Sequence, residues 1–157
     1  MPVFLSSKAE NGNKVFNDVS EEINIPILHI ADAAAAAVRR DNIKKVGLLG
    51  TRFTMTQDFI IDRLKDAGLE VMVPDKNDIE VVNNVIFDEL CLGNVLDTSR
   101  EEYKRIISYM KDRGAEGVIL GCTEIGMLIG EEDSVLPTYD TTLIHAKEAA
   151  KEALSEE

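Results

Sequence analysis

The sequence has no tryptophan, only two cysteines and two histidines in 157 residues, and 5% aromatic side chains. Two cysteines without a Cys-x-x-Cys spacing exclude a disulfide scaffold, and so few thiols and imidazoles argue against a bound metal. Scarce aromatics argue against stacking platforms for nucleic-acid bases. No apolar run approaches the roughly 20 residues that cross a bilayer, and the first 14 residues lack a secretory-signal pattern. We therefore expect a cytoplasmic protein.

Basic residues are also few, because 17 Lys and Arg face 29 Asp and Glu, which gives a net charge of −12. A chain this acidic repels phosphate backbones and anionic lipids, so we expect neither nucleic acid nor a membrane surface as a partner. With 45% hydrophobic residues, the chain is long enough for one globular domain that buries about two-thirds of its unfolded surface.

Short apolar runs alternate along the chain with amphipathic segments. Strands are predicted at residues 25–30, 45–50, 69–73, 117–121 and 135–139. Helices are predicted between them: one capped by Asp32, one capped by Thr54 and closed at Gly68, and others over 78–92, 99–114 and 141–154. This alternation predicts an α/β fold with a parallel sheet and helices on both faces.

Ligands of such sheets bind beyond the carboxyl ends of the strands, where Cys122 directly follows the apolar run 117–121. A helix starting there would favour the thiolate form of Cys122, which makes it a candidate catalytic nucleophile or base. The alternative is a small buried hydrophobic residue. The neighbouring hydroxyl of Thr123 and carboxylate of Glu124 favour the functional interpretation.

Thr51 and Thr54 follow another predicted strand and open a helix, a geometry that binds carboxylate or phosphate groups. Thr51 is the better candidate ligand, because Thr54 is equally explained as a helix cap. Cys91 is interpreted as a packing residue near a helix end. His29 and His145 are interpreted as core or interface histidines, and the charged run 100–104 as a solvated helix face.

Three blocks of the sequence closely resemble the aspartate/glutamate racemases: GLLGTRFTM at 47–55, ELCLG at 89–93 and GVILGCTEI at 117–125. Segments 25–32 and 139–146 look like the same family. The resemblance implies a cofactor-independent amino-acid racemase with two α/β lobes and one cysteine from each. A thiolate would remove the α-proton from one side while a thiol returns a proton from the other.

The resemblance also implies roles for individual residues. Cys122 corresponds to the second catalytic cysteine, and Thr123 would contact the substrate α-carboxylate with Thr51 and Thr54 beside it. Glu124 would orient the thiol or the substrate ammonium group. The implied substrate is an amino acid, most simply an acidic one, with neither metal nor cofactor.

The first cysteine of the family has no counterpart here, because Ser6 or Lys8 takes its position and Asn13 takes that of a family histidine. We therefore expect residues 1–30 to be a divergent remnant of the first lobe and 31–157 to form the racemase-like lobe. An apolar face left by the other lobe would favour a homodimer. Two alternatives stay open: a one-thiol decarboxylase-like enzyme, and an inactive lobe that binds a dicarboxylate or dimerises.

Overall fold

The structure of the protein is a computed structural model, and it describes residues 3–4 and 27–154. Strands β1 (Val3–Phe4) and β2 (Ile27–Leu28) form a separate parallel pair. The main sheet contains β3 (Lys45–Leu49), β4 (Glu70–Met72), β5 (Gly117–Leu120) and β6 (Thr138–Asp140). These four strands are parallel and lie in the order β4-β3-β5-β6. The predicted α/β class with a parallel sheet is confirmed. Ser6, Lys8 and Asn13 lie outside the described residues.

Helices connect the strands of this sheet. They are α1 (Ile30–Arg40), α2 (Arg52–Thr56), α3 (Asp58–Asp66), α4 (Lys76–Asn84), α5 (Asp97–Asp112) and α6 (Thr141–Leu154). Helix α4 continues into a π-helical turn, Val85–Glu89, and a 3₁₀ turn, Leu90–Leu92. Within the described ranges, no helix has the length and apolar character needed to span a membrane.

The two faces of the sheet carry two separate apolar cores. Successive side chains of a strand point to opposite faces. In β5, Val118 and Leu120 therefore pack with α4 and α5, whereas Ile119 packs with α1 and α3. The prediction of helices on both faces is thus confirmed.

The start of α1 differs from the prediction, because His29 and not Asp32 caps it. The His29 Nδ1 accepts a hydrogen bond from the backbone N–H of Ala31 at 3.0 Å. The Asp32 carboxylate instead receives two hydrogen bonds from Arg63, at 2.8 and 3.0 Å. An imidazole acceptor at the cap position satisfies one of the unpaired N–H groups of the first turn, as a carboxylate would.

The predicted helix cap at Thr54 is also wrong. Thr51 caps α2, and Gln57 is extended and separates α2 from α3. Helix α5 likewise begins before Ser99, whose hydroxyl donates a 2.5 Å hydrogen bond to Glu89 instead of capping the helix. Helix α6 matches the predicted range, and the Asp140 carboxylate accepts hydrogen bonds from its first N–H groups at 2.8 and 3.2 Å.

Candidate active site

The carboxyl ends of β3 and β5 lie side by side, because these strands are neighbours in the sheet. The backbone N–H of Gly121 donates to the carbonyl of Leu49 at 2.7 Å. A Cβ atom at Gly121 would lie 3.1 Å from that same oxygen, so the close approach favours glycine. The pairing brings the segments that begin at Thr51 and Cys122 to one edge of the sheet.

Cys122, Thr123 and Glu124 form a compact hydrogen-bonded group at this edge. The Cys122 Sγ donates to Glu124 Oε2 at 3.0 Å, and the Thr123 hydroxyl donates to the same oxygen at 2.5 Å. All three residues are half-buried, and Cys122 packs against the apolar core that includes Tyr103. A carboxylate therefore lies within proton-transfer distance of the thiol.

The surroundings of Cys122 favour its protonated form. The pKa of Cys122 is raised to about 12, chiefly by burial, with the hydrogen bond and charge of Glu124 acting in the same direction and the backbone N–H of Glu124 opposing them. The sequence predicts a helix after Cys122, but only a 3₁₀ turn, Ile125–Met127, follows. The expected stabilisation of a thiolate by a helix N-terminus is therefore wrong.

Thr51 and Thr54 stand next to this group on the neighbouring segment. The Thr51 hydroxyl lies 3.1 Å from the Thr54 hydroxyl and 3.2 Å from the Thr54 backbone nitrogen, from which it accepts a hydrogen bond. Thr51 is half-buried, whereas Thr54 is buried and its methyl group packs against Gly50 and Gly121. Thr51 is thus the more accessible of these two threonines.

Arg100 is a structural contributor that the sequence marks only as part of a charged helix face. Its guanidinium donates to the Leu128 carbonyl at 2.6 Å and to the Asp133 carboxylate at 3.1 Å. Asp133 also accepts from the backbone N–H of Gly130 at 3.1 Å. These bonds fasten the loop that follows Glu124 to helix α5.

Asn83 and Glu80 of α4 contact Arg52, which follows Thr51 in the sequence, and no sequence motif predicts this role for them. The Asn83 side chain accepts from the backbone N–H of Arg52 at 2.8 Å, and Glu80 forms an ion pair with the Arg52 side chain. Helix α4 therefore lies next to the start of α2.

The remaining candidates have mixed outcomes. Cys91 is exposed, so its interpretation as a packing residue is wrong: in the short 3₁₀ turn Leu90 is buried, while Cys91 and Leu92 are exposed. His29 and His145 are buried, as predicted. Burial lowers the pKa of His29 to about 4, with the nearby charge of Arg63 acting in the same direction.

Among the described residues, no group of three or more His, Cys, Asp or Glu side chains is arranged to hold a metal ion.

The chain resembles two proteins of known structure along almost its whole length. The chain is 44% identical to a Yersinia pestis protein provisionally assigned as an Asp/Glu racemase, whose crystal structure matches with a TM-score of 0.91 over 98% of this chain and 66% of that one. It is 38% identical to an aspartate racemase homologue from Pyrococcus horikoshii OT3, with a TM-score of 0.88 over 99% of this chain and 67% of that one. It therefore spans about two-thirds of the length of both.

More distant similarity and a family model agree with these matches. The aspartate racemase of Picrophilus torridus, at 19% identity, shares the fold with a TM-score of 0.64 over 89% of this chain and 56% of that one. The model of the Asp/Glu/Hydantoin racemase family matches residues 11–149. A match of this extent, together with the close structural relatives, shows that the chain belongs to the Asp/Glu/Hydantoin racemase family.

Proposed function

We propose that this chain supplies an acid/base centre for the racemisation of an acidic amino acid, with Cys122 as the group that exchanges the α-proton. The observation that carries the proposal is the shared acceptor at the carboxyl end of β5, where the Cys122 thiol and the Thr123 hydroxyl both donate to Glu124 Oε2. Family membership supports the reaction type. The acidic substrate is inferred from the family name and from the relatives.

The Cys122–Glu124 pair gives the buried thiol an adjacent proton acceptor, although the negative charge of Glu124 also disfavours the thiolate. Cys122 is a neutral thiol at pH 7, and only its thiolate form removes a proton from carbon. The Glu124 carboxylate, 3.0 Å from the sulfur, accepts the thiol proton when a substrate displaces water from the site. The thiolate then takes the α-proton, and reversal of the same two transfers returns a proton to the same side of the α-carbon.

The hydroxyl groups bind the substrate in this proposal. Thr123 and Thr51 contact the α-carboxylate from the ends of β5 and β3, and Thr54 holds the Thr51 hydroxyl through their 3.1 Å contact. Fixed donors at that carboxylate stabilise the enolate-like charge that develops as the α-proton leaves. The mechanism uses neither a metal nor an organic cofactor.

Inversion of configuration also needs a proton donor on the opposite side of the α-carbon, and we propose that a group other than Cys122 supplies it. We further propose that residues 1–30 belong to a first-lobe remnant and 31–157 to the racemase-like lobe. The described strands support this division, because β1 and β2 form their own pair apart from the main sheet. We also propose a homodimer, which the exposed apolar side chains of Phe87, Leu92 and Leu96 support. The proposed location is the cytoplasm.

A one-thiol, decarboxylase-like reaction is a second candidate, which the protonation state of Cys122 favours. A thiol whose pKa is about 12 is a proton donor at neutral pH. Protonating a carbanion left by loss of CO₂ needs one such donor and no second thiol. Release of CO₂ from substituted malonates, lost in a Cys122→Ala variant, distinguishes this reaction from racemisation.

The test of the main proposal is incubation with L-aspartate or L-glutamate in deuterated water, followed by mass spectrometry and chiral chromatography. We expect deuterium at the α-carbon with the full chain and with Cys91→Ala, and none with Cys122→Ala. Exchange that persists in Cys122→Ala contradicts the proposal. Thermal stabilisation by aspartate without any exchange identifies an inactive lobe that binds a dicarboxylate.

A further inference from the structure

Glu89 lies at the same edge of the sheet as Cys122, although 33 positions separate them in the sequence. Helix α5 leads into the amino end of β5, so its first turn lies at the carboxyl edge. The Arg100 bond to the Leu128 carbonyl, in the loop after Glu124, agrees with this direction. Ser99, in the same turn of α5, donates its hydroxyl to Glu89 Oε2 at 2.5 Å. Glu89 is thereby held beside the candidate active site.

The backbone around Glu89 is irregular in a way that favours a functional role. Glu89 ends the π-helical turn Val85–Glu89, and its own φ and ψ, −124° and −68°, depart from helical values. Such turns are rare and are frequent at functional sites. The Tyr103 hydroxyl donates to the Val82 carbonyl at 3.0 Å, which fastens the preceding part of α4 to α5. The turn is therefore held on both sides.

The carboxylate of Glu89 also has an unusual electrostatic setting. Glu89 is half-buried, and none of the ion pairs formed by the described residues includes it. Burial raises the pKa of Tyr103, and the charge of Glu89 adds to this, so Tyr103 lies within electrostatic reach of Glu89. Cys122 packs against the same apolar core as Tyr103. A half-buried carboxylate without a cationic side chain attracts a cation.

We propose that Glu89 binds the α-ammonium group of the substrate, and that Ser99 is the positioning residue that fixes its carboxylate. The inference rests on the proposed amino-acid substrate, which carries one ammonium and two carboxylate groups. Thr51 and Thr123 hold a carboxylate from the strand ends, and Glu124 is engaged by Cys122 and Thr123. Glu89 then supplies negative charge from the opposite wall, and the α-carbon lies between the two.

The test compares two ligands that differ in the ammonium group alone, L-aspartate and succinate, by isothermal titration calorimetry on the full chain. For Glu89→Gln we expect at least about tenfold weaker binding of aspartate and unchanged or tighter binding of succinate, because a charge-assisted hydrogen bond is lost. Ser99→Ala is expected to show a smaller loss of the same kind. Asp88→Asn, which changes an exposed neighbour on the same turn, is the matched control and keeps the wild-type preference.

Each outcome decides between the two proposals. Loss of affinity for aspartate but not for succinate in Glu89→Gln supports the inference, because a general disturbance of the fold would weaken the binding of both ligands. Equal weakening of both ligands, or no change in either, overturns the role of Glu89 and leaves the racemase proposal standing. A wild-type chain that binds neither ligand overturns the proposed function, and the role of Glu89 with it.

Discussion

The protonated state of Cys122 leads to a quantitative prediction about its chemical reactivity. The raised pKa, about 12 against an ordinary value of 9.0, corresponds to roughly a thousandfold less thiolate at any pH below 9. Because the thiolate is the species that reacts, iodoacetamide should alkylate Cys122 in the native chain roughly a thousandfold more slowly than in the unfolded chain. The rate should rise about tenfold for each unit of pH up to pH 10.

The assay uses a Cys91→Ala variant, so that intact-mass spectrometry follows Cys122 alone, in buffer and in concentrated urea. Glu124→Gln tests the cause: the alkylation rate should increase, because a carboxylate no longer opposes the thiolate, yet it should stay below that of the unfolded chain, because burial is the larger cause. A native rate within tenfold of the unfolded rate, or a plateau near pH 8, would refute the reasoning.

Three further predictions concern stability. Between pH 6.5 and 4, His29 is protonated in the unfolded state but not in the folded state, so the free energy of unfolding should fall by about 3 kcal/mol as the pH drops through that window. The variant His29→Asn keeps an acceptor at the cap position. Urea melts at pH 7 and pH 4 should therefore show a smaller pH dependence of its stability. Met110→Ala empties a fully buried position against Gly47 and should cost about 2–5 kcal/mol in the same melts, whereas a loss below about 1 kcal/mol contradicts the packing described. Arg100→Ala should speed amide hydrogen exchange in the loop 128–133 about tenfold or more, whereas Lys111→Ala, at an exposed position near the end of the same helix, should leave it unchanged.

The sheet and its two faces were predictable from the sequence, because the relevant signals are local. The apolar runs that became β3 and β5 are short, β-branched or leucine-rich, and bounded by glycine. Helix α6 spans the predicted range and follows Asp140, whose carboxylate accepts a hydrogen bond from the backbone N–H of Thr142. The position of Cys122 beyond the end of β5 followed from the same alternation, because the carboxyl ends of parallel strands meet at one edge.

The predicted helix caps were wrong where a side chain forms its hydrogen bond with a residue far away in the sequence. Aspartate is a common helix-capping residue, but the Asp32 carboxylate accepts a hydrogen bond from Arg63, 31 positions away, and His29 caps the helix instead. Ser99 has capping-box spacing, but Glu89 accepts its hydroxyl hydrogen bond. Side-chain spacing cannot distinguish these options, because each alternative satisfies the same hydrogen-bonding group.

The protonation state of Cys122 was unpredictable for a different reason. Its thiol responds to the depth of the turn and to the rotamer of Glu124, and neither follows from the residue order Cys-Thr-Glu. The irregular segment after α4 is similar, because a π-helical turn differs from an α-helical one by a single hydrogen-bond shift that no residue pattern in 85–89 signals.

The hydrogen bond from Gly121 to Leu49 marks the boundary between the strands of the sheet and the loop residues of the candidate active site. Strand register is fixed at that bond, while Thr51 and Thr123 lie beyond it and belong to neither apolar core. Substitutions at those two positions can therefore accumulate without loosening the sheet. A new substrate preference could evolve, or be engineered, by changing a few loop side chains on an unaltered scaffold.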